Sequence, residues 1–198
     1  MSESSLVELR ENIISDRAVS AREIPKALSD VTDKFLAQLY VTEIENSDGV
    51  ALVALGGYGR AELAPSSDLD LMLIHQDRED IDSLADRLWY PLWDEGFKLG
   101  HSVRSVDQTL RLASTDLETA TSLLNGRLIA GDSVLLEDLL ARNEEQWVAY
   151  GLDRLDELAR NVRRRHLLSG EVAFLLEPDL KEGRGGLRDV HAIDWAVR

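Results

Sequence analysis

The chain contains no cysteine, which excludes a disulfide framework and any thiolate metal site and is compatible with a reducing cytoplasm. Aromatic residues are scarce, 6% against 44% hydrophobic residues in total, so the core is expected to be of the Leu/Ala/Val type of ordinary soluble proteins. No apolar run approaches membrane-spanning length, and the opening MSESSLVELRENII lacks the basic-then-apolar order of a signal peptide. A soluble, cytoplasmic protein with no membrane partner is the expectation. No Gly-Lys-Ser/Thr is present, which excludes a P-loop, and Glu62 stands where Gly57-Tyr58-Gly59 would need its third glycine for a dinucleotide fingerprint. Basic residues are also in deficit, 22 against 37 acidic, a net charge of −15. A field of that sign repels polyanions, so a long nucleic acid is a poor fit as partner. The deficit is uneven: Arg160 to Arg198 holds eight Lys/Arg against six Asp/Glu, leaving −17 on the rest. A phosphate-bearing ligand would find its positive charge in the C-terminal stretch.

What is present is enough for one α/β domain with a helical annex in 198 residues. Residues 1–45 read as helix, with Leu28, Val31, Phe35 and Leu39 at three- and four-residue spacing and Pro25 suited to a first turn. Asn46-Ser47-Asp48-Gly49 is turn chemistry. Val50–Leu55 is a short, wholly apolar run, as expected of a strand buried on both faces. Asp68–Ile74 alternates Asp and Leu before turning apolar. Ile81, Leu84, Leu88 and Leu92 mark an amphipathic helix, with Trp89 and Trp93 read as its core side chains, and Lys98–Ser105 is a third strand. Beyond Val106 the pattern is helical, with a long charged helix from about Asn143 to Leu168. The expected fold is α/β (α+β): a small mixed sheet in a core spanning 46–125, flanking helices, an N-terminal helical segment and a helical part over 126–198. That last part ends on a helical pattern without a stop signal and looks cut.

The chemistry concentrates at Asp68 and Asp70. Two apart on a strand, their side chains leave the same face. Carboxylates held that close repel unless a cation lies between them, and Mg²⁺ commonly takes one or two carboxylates plus substrate phosphates. Such a pair supports in-line displacement at phosphorus. An isolated Asp-x-Asp has a bland alternative, one residue starting the strand and the other solvated at its edge. Here Gly56-Gly57 lies upstream, directly after a buried strand, where missing Cβ atoms let backbone N–H groups approach a triphosphate.

Val53-Ala54-Leu55-Gly56-Gly57 followed by Asp68-Leu69-Asp70-Leu71 resembles the signature of the DNA polymerase β-like nucleotidyltransferase superfamily. The longer GGYGRAELAPSSDLDLMLI resembles a narrower group, the uridylyltransferases that modify the nitrogen-regulatory PII signal protein, and EPDLKEGRGGLRDVHAIDWA resembles a second block of that family. The similarity runs over about residues 50–195. It implies that Asp68 and Asp70 bind catalytic Mg²⁺, that Gly56 and Gly57 cradle the nucleotide phosphates, and that Ser67 touches the triphosphate. The implied reaction is attack by a PII tyrosine hydroxyl on the α-phosphate of UTP, or of ATP in relatives that transfer AMP, with loss of pyrophosphate. A different protein or small-molecule acceptor is the alternative, as is a nucleotide-binding regulatory module that has lost catalysis.

Two departures bear on that expectation. The superfamily places a third carboxylate on the next strand, whereas KLGHSVRS carries no acid and Asp107 lies just past it; His101 there reads as structural. The family's full-length members continue into a hydrolase domain and two glutamine-sensing domains, whereas this chain has no His-Asp dipeptide and reads as an isolated transferase segment. Arg60 either neutralises phosphate or pairs with Glu62, and Tyr58 reads as packing. The segment from Lys181 through Arg184 to Arg188 is expected to fold back over the nucleotide, with Lys181 and Arg184 lending positive charge and three glycines permitting close approach. Its alternative is a mobile connector whose charges face water.

Overall fold

The computed structural model describes residues 5–198. Ser5 caps α1 (Leu6–Ser15) by accepting the Glu8 N–H, and α2 (Ile24–Glu43) carries Pro25 in its first turn, where the missing N–H costs nothing. Strand β1 (Val50–Ala54) is buried along its whole length. A four-residue helical turn, α3 (Gly56–Gly59), and a loop lead into β2 (Leu69–His75). Helix α4 (Ile81–Asp94) then crosses over to β3 (Leu99–Ser105), the connection a parallel pair requires. The sheet runs in the order β3-β2-β1-β4, with β4 spanning Arg127–Gly131. β2 and β3 are parallel, and β1 is antiparallel to both its neighbours, giving the small mixed sheet expected.

Alternation along the strands divides the core in two. Val50, Leu52 and Ala54 of β1, with Leu69, Leu71 and Leu73 of β2, face α1, α2 and α4. Ala51, Val53, Met72 and Ile74 face the other layer, formed by α5 (Val106–Ala113), α6 (Leu117–Leu123), α7 (Ser133–Ala149), α8 (Gly151–Ser169) and α9 (Leu187–Ala196). Asp70 belongs by parity to this second face.

Three expectations need correction. β4 lies where only helix was expected; RLIAG is short and half-buried, with no period of its own, and becomes a strand by pairing with β1. The single helix expected from Asn143 to Leu168 is two, interrupted at Tyr150, because Tyr150 leaves helical geometry and caps both. Trp89 and Leu92 are core residues, but Trp93 is 39% exposed, lying against Tyr90 and His101 at the surface.

Candidate functional site

Backbone pairing delivers the carboxylates to the start of β2. The β1–β2 ladder ends at Ala54 opposite Leu71, and the Leu55 N–H still donates to the Asp70 carbonyl at 2.9 Å. The chain then turns away at Gly56 beside Asp70. Gly56 has φ +55°, and a Cβ there would stand 2.7 Å from Asp70 Oδ2. On the other side Gly100 of β3 lies in register with Asp70, and a Cβ there would collide with Oδ1. The Asp70 carboxylate thus occupies a slot that exists because two flanking residues lack side chains. The strand begins at Leu69, so Asp68, expected as its first residue, sits immediately ahead of it and exposed, near enough for its charge to act on Asp70.

Protein enclosing the carboxylate pushes the Asp70 pKa above the usual carboxylate range, and the neighbouring Asp68 charge adds to the rise. Lys181 pulls it down, Glu118 pushes it up, and Arg188 pulls it down. The C-terminal segment therefore comes close enough for its charges to act on the site. Lys181 and Arg188 are those charges, while Arg184 pairs with Glu171. Gly57 stays in the α3 turn, where its carbonyl accepts the Glu62 N–H at 2.8 Å. Arg60 pairs with Glu62 at 2.7 Å, and the Ser67 hydroxyl accepts the Ala64 N–H at 3.0 Å, bracing the loop.

Buried side chains hold this loop from behind. Tyr58 is in the core and donates its hydroxyl to Asp33 at 2.7 Å, with its pKa driven strongly upward by burial first and by Asp33 second. Arg127 grips the same Asp33 carboxylate at 2.6 and 3.0 Å and donates to the Tyr58 and Gly59 carbonyls at 3.2 Å. Arg10 of α1 donates to the Ala64 and Pro65 carbonyls, both at 3.3 Å, and lies over the Phe97 ring. The C-terminal strap has its own clasp: Asp189 accepts from the Gly185 N–H at 2.7 Å, pairs with His166 at 2.8 Å, and also pairs with Arg165. Burial works to raise the Asp189 pKa, but these three donors outweigh it and hold the group below its ordinary value.

Several of these residues carry no sequence signal. Gly100 meets Asp70 only through folding, the Glu118 charge reaches it in the same way, and Arg10, Asp33 and Arg127 are far apart in the chain. No acid of β3 faces Asp70; Gly100 takes that register position. Asp107 lies past the far end of the strand, paired with Arg142 at 2.8 Å.

Among the described residues no three His, Asp or Glu side chains converge tightly enough to enclose an ion. Asp68 and Asp70 form an open donor pair of hard oxygens in a slot clear of side chains, which fits a divalent cation that completes its shell with substrate oxygens and water. A metal held there lowers the cost of placing two carboxylates together and polarises phosphoryl oxygens.

The nucleotidyltransferase family model DUF294 matches residues 7–102, and the model described as GlnD PII-uridylyltransferase matches residues 153–198. A bifunctional uridylyltransferase/uridylyl-removing enzyme of Streptomyces coelicolor is 45% identical over 93% of this chain and 22% of its own length. Enzymes of the same description from Mycobacterium tuberculosis and Caulobacter vibrioides are 44% and 35% identical over 76% and 91% of this chain, and 19% and 20% of theirs. The chain spans about a fifth of the length of these relatives. At 45% identity over 93% of its length to one of these enzymes, the chain belongs to the PII-uridylyltransferase family.

Proposed function

We propose that the chain catalyses Mg²⁺-dependent transfer of a nucleotidyl group from UTP, with ATP as the alternative donor, to a tyrosine hydroxyl of a PII-type signal protein. The observation that carries this reading is the open pair Asp68 and Asp70 beside the Gly56 turn, with Asp70 held between Gly56 and Gly100. The relatives' description as uridylyltransferases favours UTP. The acceptor oxygen forms a bond to the α-phosphorus while the bond from that phosphorus to its β-bridging oxygen breaks. Pyrophosphate leaves with the electron pair, and the hydroxyl proton passes to solvent. A divalent cation supplies charge neutralisation at the attacking and leaving oxygens when bound. The chain's own residues do the rest: Asp68 and Asp70 hold the cation, Gly56 and Gly57 leave the phosphates an approach, and Lys181 and Arg188 meet charge on the leaving pyrophosphate. Ser67 and Arg60 stand at the rim, where each exchanges its present partner for phosphate oxygens, and Arg184, paired with Glu171, contributes less.

A second reading, a regulatory module that binds nucleotide without turning it over, has one observation in its favour. Gly100, and not an acid, stands in register with Asp70 on the neighbouring strand. The two readings separate on incubation of the chain with α-labelled UTP or ATP, Mg²⁺ and PII protein. Label on the acceptor together with released pyrophosphate is the expected result; nucleotide binding without either product selects the regulatory reading.

A further inference from the structure

Arg127, the first residue of β4, directs its guanidinium at three protein groups. Its two Nη atoms take the Asp33 carboxylate of α2 at 2.6 and 3.0 Å. Nε donates to the Gly59 carbonyl and Nη2 to the Tyr58 carbonyl, both at 3.2 Å, and the guanidinium lies 5.4 Å from the centre of the Tyr58 ring. Tyr58 and Gly59 are the last two residues of α3, and the first is Gly56, beside Asp70. A helical turn of that length rises only about 5 Å. Whatever fixes its carbonyl end therefore fixes its Gly56 end.

Two observations point to a role beyond packing. The turn has no room to settle elsewhere: a Cβ at Gly59 would collide with the Asn125 carbonyl and stand 3.0 Å from that of Ala54. It is wedged between the end of β1 and the connection from α6 to β4, with Arg127 tying it in place. The second is the choice of chemistry. The Arg127 and Asp33 side chains are 31% and 27% exposed, and replacing a largely buried ion pair by apolar groups is often neutral for stability. What arginine supplies and an apolar residue or a lysine does not is a planar fork, with donors fixed in direction towards a carboxylate and two carbonyls at once.

We propose that Arg127, oriented by Asp33, is a positioning residue for the transfer reaction. By holding the Tyr58 and Gly59 carbonyls it sets the tilt of the α3 turn. That tilt governs the approach that Gly56 and Gly57 leave to the triphosphate, and the wall that Gly56 gives the Asp70 slot. Arg127 meets no reacting atom and acts through the turn. This inference rests on the nucleotidyl-transfer reading.

The test combines calorimetric binding of tripolyphosphate in Mg²⁺ with steady-state transfer from α-labelled UTP to PII protein, each well below the melting temperature of the variant used. Arg127→Lys keeps the charge and loses the fork. It is expected to weaken tripolyphosphate and raise the KM for UTP by roughly tenfold, the scale of a lost charge-assisted contact. Its kcat should fall by up to about 10²-fold, as a misplacement of about 1 Å does. Asp33→Asn keeps the shape and an acceptor for Tyr58, and should raise the KM about threefold. Tyr40→Phe is the control for lost stability alone: it removes a buried hydrogen bond to the Val50 carbonyl, at the far end of β1 from the turn. It should melt lower, with tripolyphosphate affinity and KM within about twofold of wild type, as expected of a distant site. If Arg127→Lys does not fold, Asp33→Asn decides. An unchanged tripolyphosphate affinity and KM in the deciding variant, or an equal change in Tyr40→Phe, overturns the positioning role. A wild-type chain that neither binds tripolyphosphate nor transfers label refutes the nucleotidyl-transfer reading instead.

Discussion

The two halves of the candidate site are built differently. The carboxylate half is set by backbone: β1 is fully buried, β2 is paired on both sides, and Gly56 and Gly100 flank Asp70 from fixed register positions. The cationic half hangs on the strap between α8 and α9, tied by side-chain pairs such as Asp189 with His166 and Arg184 with Glu171. Strand pairing between buried residues leaves almost no freedom, whereas partly exposed ion pairs are individually weak and exchangeable. A rigid acidic floor and an adjustable basic cover suit a reaction in which a charged product must leave after the bond is made.

The largest effect should come from the floor. Asp70→Asn removes a ligand charge, and transfer is expected to fall by at least about 10³-fold, the scale of losing electrostatic stabilisation at a reacting phosphoryl group. Stability should move the other way. The folded state raises the Asp70 pKa, so ionised Asp70 opposes folding at neutral pH, and that penalty fades as pH falls through the raised value. Asp70→Asn should therefore melt no lower than wild type in metal-free buffer at pH 7, and the wild-type penalty should shrink on mild acidification. Normal turnover in Asp70→Asn would dismantle the site assignment.

A smaller effect is expected from the slot. Gly100→Ala places a methyl group against Asp70 Oδ1 and displaces the carboxylate without removing its charge. A displacement of about 1 Å is enough to cost roughly 10²-fold in rate, measured as turnover at saturating Mg²⁺ and nucleotide. Full activity would mean that the slot tolerates a shift and that rigidity is not what the floor contributes.

The smallest effects separate residues within the cover. Lys181→Ala and Arg188→Ala each remove a charge acting on Asp70, and should raise the apparent KM for nucleotide by about tenfold, the equivalent of one charge-assisted contact. Arg184→Ala removes a mostly exposed partner of Glu171 and should change it by less than about threefold. An equal response in all three variants would show that the strap acts only as bulk positive charge.

The sequence carried the carboxylate half in plain view. Asp68 and Asp70 are two apart at the start of a strand, Gly56-Gly57 follows a buried strand, and both signals are local. Gly100 was hidden inside a strand whose relevance depends on parallel register with β2. Glu118 was equally hidden, since nothing local distinguishes a surface Glu from one whose charge acts on Asp70. β4 escaped for a related reason: five half-buried residues acquire strand character from β1, not from their own period. The strap was recognised as glycine-rich and basic, but which of its cations turn towards the carboxylates depends on pairings with Glu171, Glu182 and Asp189 that span up to 24 residues.

By itself the sequence determined the mixed α/β class and the strand whose start bears the carboxylates, because hydrophobic period is a property of neighbouring residues. Only the tertiary structure decided that Gly100 stands in register with Asp70, that Arg184 pairs with Glu171 and that Arg188 pairs with Glu182. Those facts come from register, helix packing and long-range ion pairing, which depend on distances between segments that the linear order of residues does not contain.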